Sequence, residues 1–313
     1  MLKKIEETTS LNQLHATFKQ NLSFKEIIIH IVGTNDTAQT LALADIGRVR
    51  YEKNGEVMVD AGFDFLHGMS SINGGHAKAE SATASDVDIW LSIPRYFNDK
   101  NVETVVPSDQ AQLLITFNSA FATALASATT RVYVNQEEGV QNYDLQIKQF
   151  RHDISGAGDI PVKFNEMNIL QIALSDIVSS VLTLSSSNIT RVTTQVDEQS
   201  GASIPVSSLQ ANTNYNHRLE AAYNNIAVIY EAEGDVTSRL SDGVDFSFGT
   251  SGAATPEVLI ISAFFDEDRK NKTRRSQSLR FESKLKIKSN NGQHKTVGAI
   301  RSLVGAKKQA VGT

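Results

Sequence analysis

Apolar residues recur with a period of two, or in short runs, over most of this chain. Segments 24–32, 47–60, 86–93, 112–117, 130–135 and 143–150 each read as strands. The pattern resumes at 163–174, 180–184, 189–196, 225–234, 243–248 and 257–265. Asn54-Gly55, between two such runs, predicts a tight hairpin, because both residues accept the positive φ of a type I′ turn. Two segments break the pattern. Residues 1–20 read as a helical arm, with Ser10 and Gln13 placed as a capping box and Leu11, Leu14 and Phe18 on one face. Residues 207–223 read as partly helical.

The best internal boundary is SGAGDIP, from Ser155 to Pro161, where two glycines, an Asp and a Pro interrupt the apolar pattern. A weak repeat spans it. Phe24-Lys25-Glu26 and Phe164-Asn165-Glu166 are 140 residues apart, and DVDIWLSIP and NIAVIYEAEG fall at nearly the same offset. Many short strands separated by turn residues exclude an alternating α/β sheet and favour sandwiches or barrels. The expected fold is therefore all-β: two tandem eight-stranded jelly rolls with short terminal arms. The expected divisions are a helical arm over 1–20, a first jelly roll over 21–158, a second over 159–268, and a basic extension over 269–313.

Length and charge sharpen this picture. A chain of 313 residues is comfortable for two domains. Cysteine is absent, which removes disulfides, thiolate metal sites and cysteine nucleophiles. Glu6 and Glu7 stand where a signal peptide needs an apolar core, and no run reaches 18 apolar residues, so neither a signal peptide nor a spanning helix is expected. The net charge is -5, yet residues 269–313 hold 13 Lys and Arg against the single acid Glu282. Such a split points to an anionic partner for the tail. Arg280, Lys284, Lys286 and Lys288 alternate with apolar residues as in a strand, and Arg274 and Arg275 precede them. Lys295, Arg301, Lys307 and Lys308 surround Val297, Ile300, Leu303 and Val304 at helical spacing. That second pattern fits an amphipathic helix on a membrane surface, and the charge alone also fits nucleic acid.

Catalytic signals are missing. No phosphate loop, HExxH or GxSxG occurs, and no nucleophile–base arrangement stands out. His67 and His76 lie in a glycine-containing stretch read as a loop, Glu137-Glu138 and Asp266-Glu267-Asp268 read as solvated strand ends, Trp90 reads as a core residue, and His30 as a core or interface residue. No enzyme activity, cofactor, metal or small-molecule substrate is expected.

The order of these features, above all NIAVIYEAEGDV followed by EVLIISAFF, resembles the double jelly-roll major capsid proteins of tailless icosahedral, membrane-containing phages of the corticovirus and FLiP-like types. The resemblance covers residues 23–268. It implies a structural protein of the virion, assembled in the host cytoplasm, whose homotrimers tile a shell beside neighbouring capsomers and vertex and minor capsid proteins. It places the chain termini inward, so that the tail meets an internal membrane or the packaged genome and the arm (Leu11, Leu14, Phe18) meets a neighbouring subunit. A trimeric phage spike or receptor-binding β-protein remains an alternative, and a carbohydrate-active β-sandwich enzyme a further one, although one Trp offers few stacking platforms for sugar.

Overall fold

The computed structural model describes residues 1–265, apart from 20, 37–40, 76, 81–85, 98–99, 179–180, 185–186, 197–198, 218–224 and 233–243. Its first half runs β1 (Leu2–Thr8), β2 (Gln13–Phe18), β3 (Leu22–Asn35), β4 (Arg48–Lys53), β5 (Glu56–Gly62), helix α1 (Phe63–Ile72), β6 (Ala77–Glu80), β7 (Asp86–Pro94), β8 (Glu103–Val105), β9 (Ala111–Thr116), helix α2 (Ser119–Ala124) and β10 (Leu125–Gln136). The second half runs β11 (Asp144–Arg151), β12 (Gly158–Phe164), β13 (Ile169–Val178), β14 (Val181–Leu182), β15 (Ile189–Val196), β16 (Gln199–Pro205), helix α3 (Val206–Asn216), β17 (Ala227–Glu231), β18 (Val244–Thr250) and β19 (Pro256–Phe264). All of these belong to one compact unit, Met1–Phe264.

Strand pairing reveals one order used twice. In the first half β10 lies between β1 and β3, and β3 also pairs β7. Facing it, β9 lies between β2 and β4, and β4 pairs β5. In the second half β19 lies between β11 and β13, and β13 pairs β17. There β18 lies between β12 and β15, and β15 pairs β16. Each half is thus an eight-stranded jelly roll, with a helix directly after its fourth inner-sheet strand: α1 after β5 and α3 after β16. The pairs within each roll are antiparallel.

Burial follows the pleat. Along β3 Ile27, Ile29 and Ile31 are buried, and Val87, Ile89, Leu91 and Ile93 alternate likewise along β7. The second roll has its own core, in which Phe164, Ile172, Leu174, Phe246, Phe248 and Val258 pack with Val206 and Leu209 of α3. The predicted hairpin is present, with φ of 55° at Asn54 and 78° at Gly55, between paired Lys53 and Glu56.

The expected helical arm is instead two strands. Leu14, Ala16 and Phe18 are buried while Gln13, His15 and Thr17 are exposed, a period of two. Leu14 and Phe18 are four apart, a spacing that satisfies both the helical and the strand period, and Ala16 is the residue that separates them. Ser10 does accept a bond, from the Asn12 N–H at 3.2 Å, but it closes a turn between β1 and β2 rather than capping a helix. The pairing order restarts at Asp144, so β11 goes with the second set although the sequence pattern had grouped it with the first. Of the two repeat matches, β7 and β17 do occupy equivalent places. Phe24 and Phe164 do not, because β3 corresponds to β13 and not to β12.

Candidate functional site

The two rolls join where the first ends its inner sheet. β5 pairs in parallel with β11 at Ile147↔Val59 and Lys148↔Asp60, which makes one nine-stranded sheet across both halves. Helix α1 crosses this joint. At its N-cap the Gly62 N–H donates to Gln149 Oε1 of β11 at 2.6 Å. At its C-cap Asn73 exchanges two amide bonds of 3.1 Å with Gln171 of β13. Eight of the ten α1 residues are buried, and β13 and β19 are buried on both faces over most of their length. Such a helix has no polar face and hence no periodic signal in the sequence. His67, expected in a loop, is a buried residue of α1 whose ring stacks on Phe63 at 6.4 Å.

A second fastening is a buried charge network. Arg95 is fully buried, its Nε donates to Glu103 Oε2 at 2.5 Å, and its Nη2 donates to the Leu145 carbonyl of β11 at 2.6 Å. The Tyr51 hydroxyl donates to Glu103 Oε1 at 2.6 Å. Lys53 reaches Asp144, the first residue of β11, at 3.2 Å. Burial pushes the Glu103 carboxyl up, but Arg95, Lys53 and the Tyr51 hydroxyl outweigh it and hold Glu103 below its ordinary value. Burial, with the Glu103 charge beside it, pushes the Tyr51 phenol well above its usual range. Two cations and two carboxylates neutralise one another and tie β4, β8 and Arg95, the residue after β7, to β11 of the second roll.

The two free faces of the first roll differ. On β4, β9 and β2 the outward residues are mostly polar, Leu114 excepted, and several pair: Arg48 with Asp60 at 2.5 Å, Arg50 with Glu52 at 2.5 Å, and Gln112 with both Glu52 and His15. On the sheet β1-β10-β3-β7 the outward row holds Ile28, His30 and Val32 of β3 beside Trp90 of β7. His30 stacks on Trp90 with centroids 3.7 Å apart, and Asp88 Oδ1 meets His30 Nε2 at 2.8 Å and accepts from the indole N–H at 2.9 Å. Trp90, expected in the core, is therefore a half-buried surface residue, and His30 is half-buried beside it. The alternation D-V-D-I-W puts Trp90 in phase with the two aspartates, and that signal already points outward.

Of the expected arm residues, Leu14 and Phe18 are core, and Leu11 lines a hollow of about 810 Å³ on this outer face beside His30 and Trp90. Glu137 pairs with Lys25 at 2.8 Å. His76, Asp266-Glu267-Asp268 and the basic residues from Arg274 to Lys308 lie outside the described residues. Among the described residues no group of three His, Asp or Glu is placed to hold a metal, and no helix is long and apolar enough to cross a membrane.

Two eight-stranded rolls of one strand order, joined edge to edge, define a double jelly roll. Solved structures with this architecture match nearly the whole chain. The major capsid protein of Sulfolobus turreted icosahedral virus superposes with a TM-score of 0.65 over 85% of this chain and 96% of its own, at 11% identity. The major capsid protein of bacteriophage PM2 gives 0.59 over 85% and 99%, at 12% identity. The capsid of the virus PBCV-1 gives 0.58 over 86% and 95%, at 9% identity. No family model matches the sequence, and no curated protein matches it. The chain thus has the double jelly-roll fold of these major capsid proteins.

Proposed function

We propose that this protein is a major capsid protein, a structural component of an icosahedral virion and not an enzyme. The observation that carries this reading is the repeated strand order, matched along almost the full length of coat proteins from an archaeal virus, a bacteriophage and PBCV-1. The interactions described above are structural in kind: a helix buried at a joint, a self-neutralised charge network, and an aromatic patch on an outer face. In this reading three copies associate into a block of six jelly rolls, and such blocks tile the shell beside minor and vertex proteins. The basic extension over 269–313 binds the anions inside, a membrane leaflet or the packaged genome.

Light scattering and negative-stain electron microscopy of the purified chain test this directly. The expected result is a trimer with a pseudo-hexagonal outline. An elongated spike, or a monomer at micromolar concentration, would overturn the proposal. For the tail, flotation of the full chain and of a chain truncated after Asp268 on anionic vesicles, beside single-stranded DNA binding over a salt series, separates the two anions.

A further inference from the structure

The charge network at the joint holds three reactive groups in one buried space. Lys53 and Asp144 are each 3% exposed and Glu103 1%. Lys53 Nζ lies 3.2 Å from Asp144 Oδ1 and 3.9 Å from Glu103 Oε1. Sheet pairing fixes both ends: Lys53 closes β4 opposite Glu56 and Ala111, and Asp144 opens β11 opposite Phe264. Of the two buried cations, Arg95 stays charged and unreactive, whereas Lys53 becomes a nucleophile once it gives up a proton.

We propose that Lys53 and Asp144 condense into an intramolecular amide, a covalent link between the two jelly rolls, with Glu103 carrying a proton and Gln141 polarising the carboxyl group. The bond lies within one chain and is independent of the capsid reading.

Each neighbour is placed for one task. Arg95 Nε occupies Glu103 Oε2, so Oε1 is the oxygen turned to Lys53, steadied by the Tyr51 hydroxyl at 2.6 Å. Arg95 and Lys53 hold Glu103 below its ordinary value, which keeps it a carboxylate that accepts a proton. Gln141 Oε1 accepts from the Thr104 N–H at 3.0 Å, a group that can only donate, and this turns the amide nitrogen towards Asp144. Gln141 Nε2 then donates to Asp144 Oδ1 at 2.5 Å, where negative charge grows as the carboxyl carbon is attacked.

The step balances within the chain. The Lys53 ammonium gives one proton to Glu103 and becomes a neutral amine. Its nitrogen bonds to Asp144 Cγ. A second proton passes from that nitrogen to Oδ2, Glu103 returns the first proton to the same oxygen, the Cγ–Oδ2 bond breaks, and water departs. Oδ1 stays as the amide oxygen beneath Gln141. Glu103 ends as the carboxylate it was, and nothing is oxidised or reduced. In bulk water hydrolysis would win. Here burial makes both ions costly, the amide removes both charges, and fixed strands replace a bimolecular encounter by an intramolecular one. The link spans 91 positions of sequence, and closing so long a loop restricts the unfolded chain. It fastens β4 to β11 beside a strand joint of two residue pairs, Ile147↔Val59 and Lys148↔Asp60.

Intact-mass spectrometry of the full folded chain tests this without any substitution. The expected mass is one water below that of the sequence. A tryptic digest should yield a branched peptide of segments 51–78 and 132–148, because trypsin does not cut after an acylated lysine. Lys53→Arg keeps a cation beside Asp144 but has no amine to acylate. It should show the full mass of its own sequence and unfold at lower urea than the parent. Glu103→Gln keeps hydrogen-bonding groups and loses the proton acceptor, so its condensation, followed from synthesis in a cell-free extract, should be about 100-fold slower. A folded native chain at full sequence mass, releasing a peptide that ends at Lys53, would overturn the inference. So would a loss of water with no branched peptide, which places the dehydration elsewhere. Condensation of Glu103→Gln at the native rate would overturn the role given to Glu103.

Discussion

Helices α1 and α3 hold the same place in the two jelly rolls, directly after the fourth inner-sheet strand, and have opposite fates. α1 is buried nearly all round, reads FDFLHGMSSI, and is tied at both caps to the other roll. α3 reads VSSLQANTNYN and buries one narrow stripe. The strand order sets where each helix falls, and the neighbour sets what its outer face contains. α1, bonded to the second roll at both caps, buries Phe63, Phe65, Leu66, Met69 and Ile72. On α3 the exposed residues are Ser207, Ser208, Ala211, Asn212, Tyr215 and Asn216.

The comparison breaks most visibly at the joint. Glu103→Leu leaves Arg95 buried without its counter-charge, while Lys53 keeps Asp144, and is expected to cost about 3–5 kcal/mol in urea unfolding. Phe65→Ala in α1 is expected to cost a similar ~3–5 kcal/mol through the cavity it opens. Tyr215→Glu in α3 is the sharpest contrast. It should leave the melting temperature nearly unchanged, because the Tyr215 side chain is 83% exposed. A loss of stability equal to that of Phe65→Ala would erase the distinction between the two helices.

Acidity separates the parts of the joint further. Glu103 has a lowered carboxyl in the folded state, so its contribution is complete above the ordinary carboxylate range and is lost as pH falls through the lowered value. Asp64 of α1 and Glu257 of β19 are raised, chiefly by burial. The folded chain therefore holds their protons longer than the unfolded chain, and stability declines as pH rises from the ordinary carboxylate range through the raised values. Melting temperature against pH for Asp64→Asn should lose part of that decline, and for Glu103→Gln part of the loss on the acid side. The smallest effect belongs to the solvated face, where Arg50→Ala should change stability by less than about 0.5 kcal/mol, because the Arg50 side chain is 47% exposed and its pair with Glu52 is open to solvent on that side.

Most strands were legible because a half-buried sheet writes its period into the chain, and the Asn54-Gly55 turn because its backbone restricts which residues fit. The arm was misread because Leu14 and Phe18 suit two periods. α1 was missed for a different reason: burial on all sides leaves no polar phase, and Gly68 inside it lowers helix propensity. The charge network was invisible because Arg95, Glu103, Asp144 and the β4 residues Tyr51 and Lys53 come from four separate parts of the chain. Trp90 was readable from its phase with Asp86 and Asp88, although an aromatic in an apolar run invites a core assignment.

Alternation, turn chemistry and the absence of catalytic motifs were enough to determine, from the sequence alone, an all-β chain with a repeated half. Those signals are local, each carried by a few consecutive residues whose side chains must point alternately to core and solvent. Only the tertiary structure decided that the repeat begins again at β11, that α1 is bonded to both rolls, and that, among the described residues, β16 pairs only β15 and β1 only β10. Pairing between strands more than a hundred residues apart depends on which edges and faces remain when every other group has found its partner, and no window of sequence contains that information.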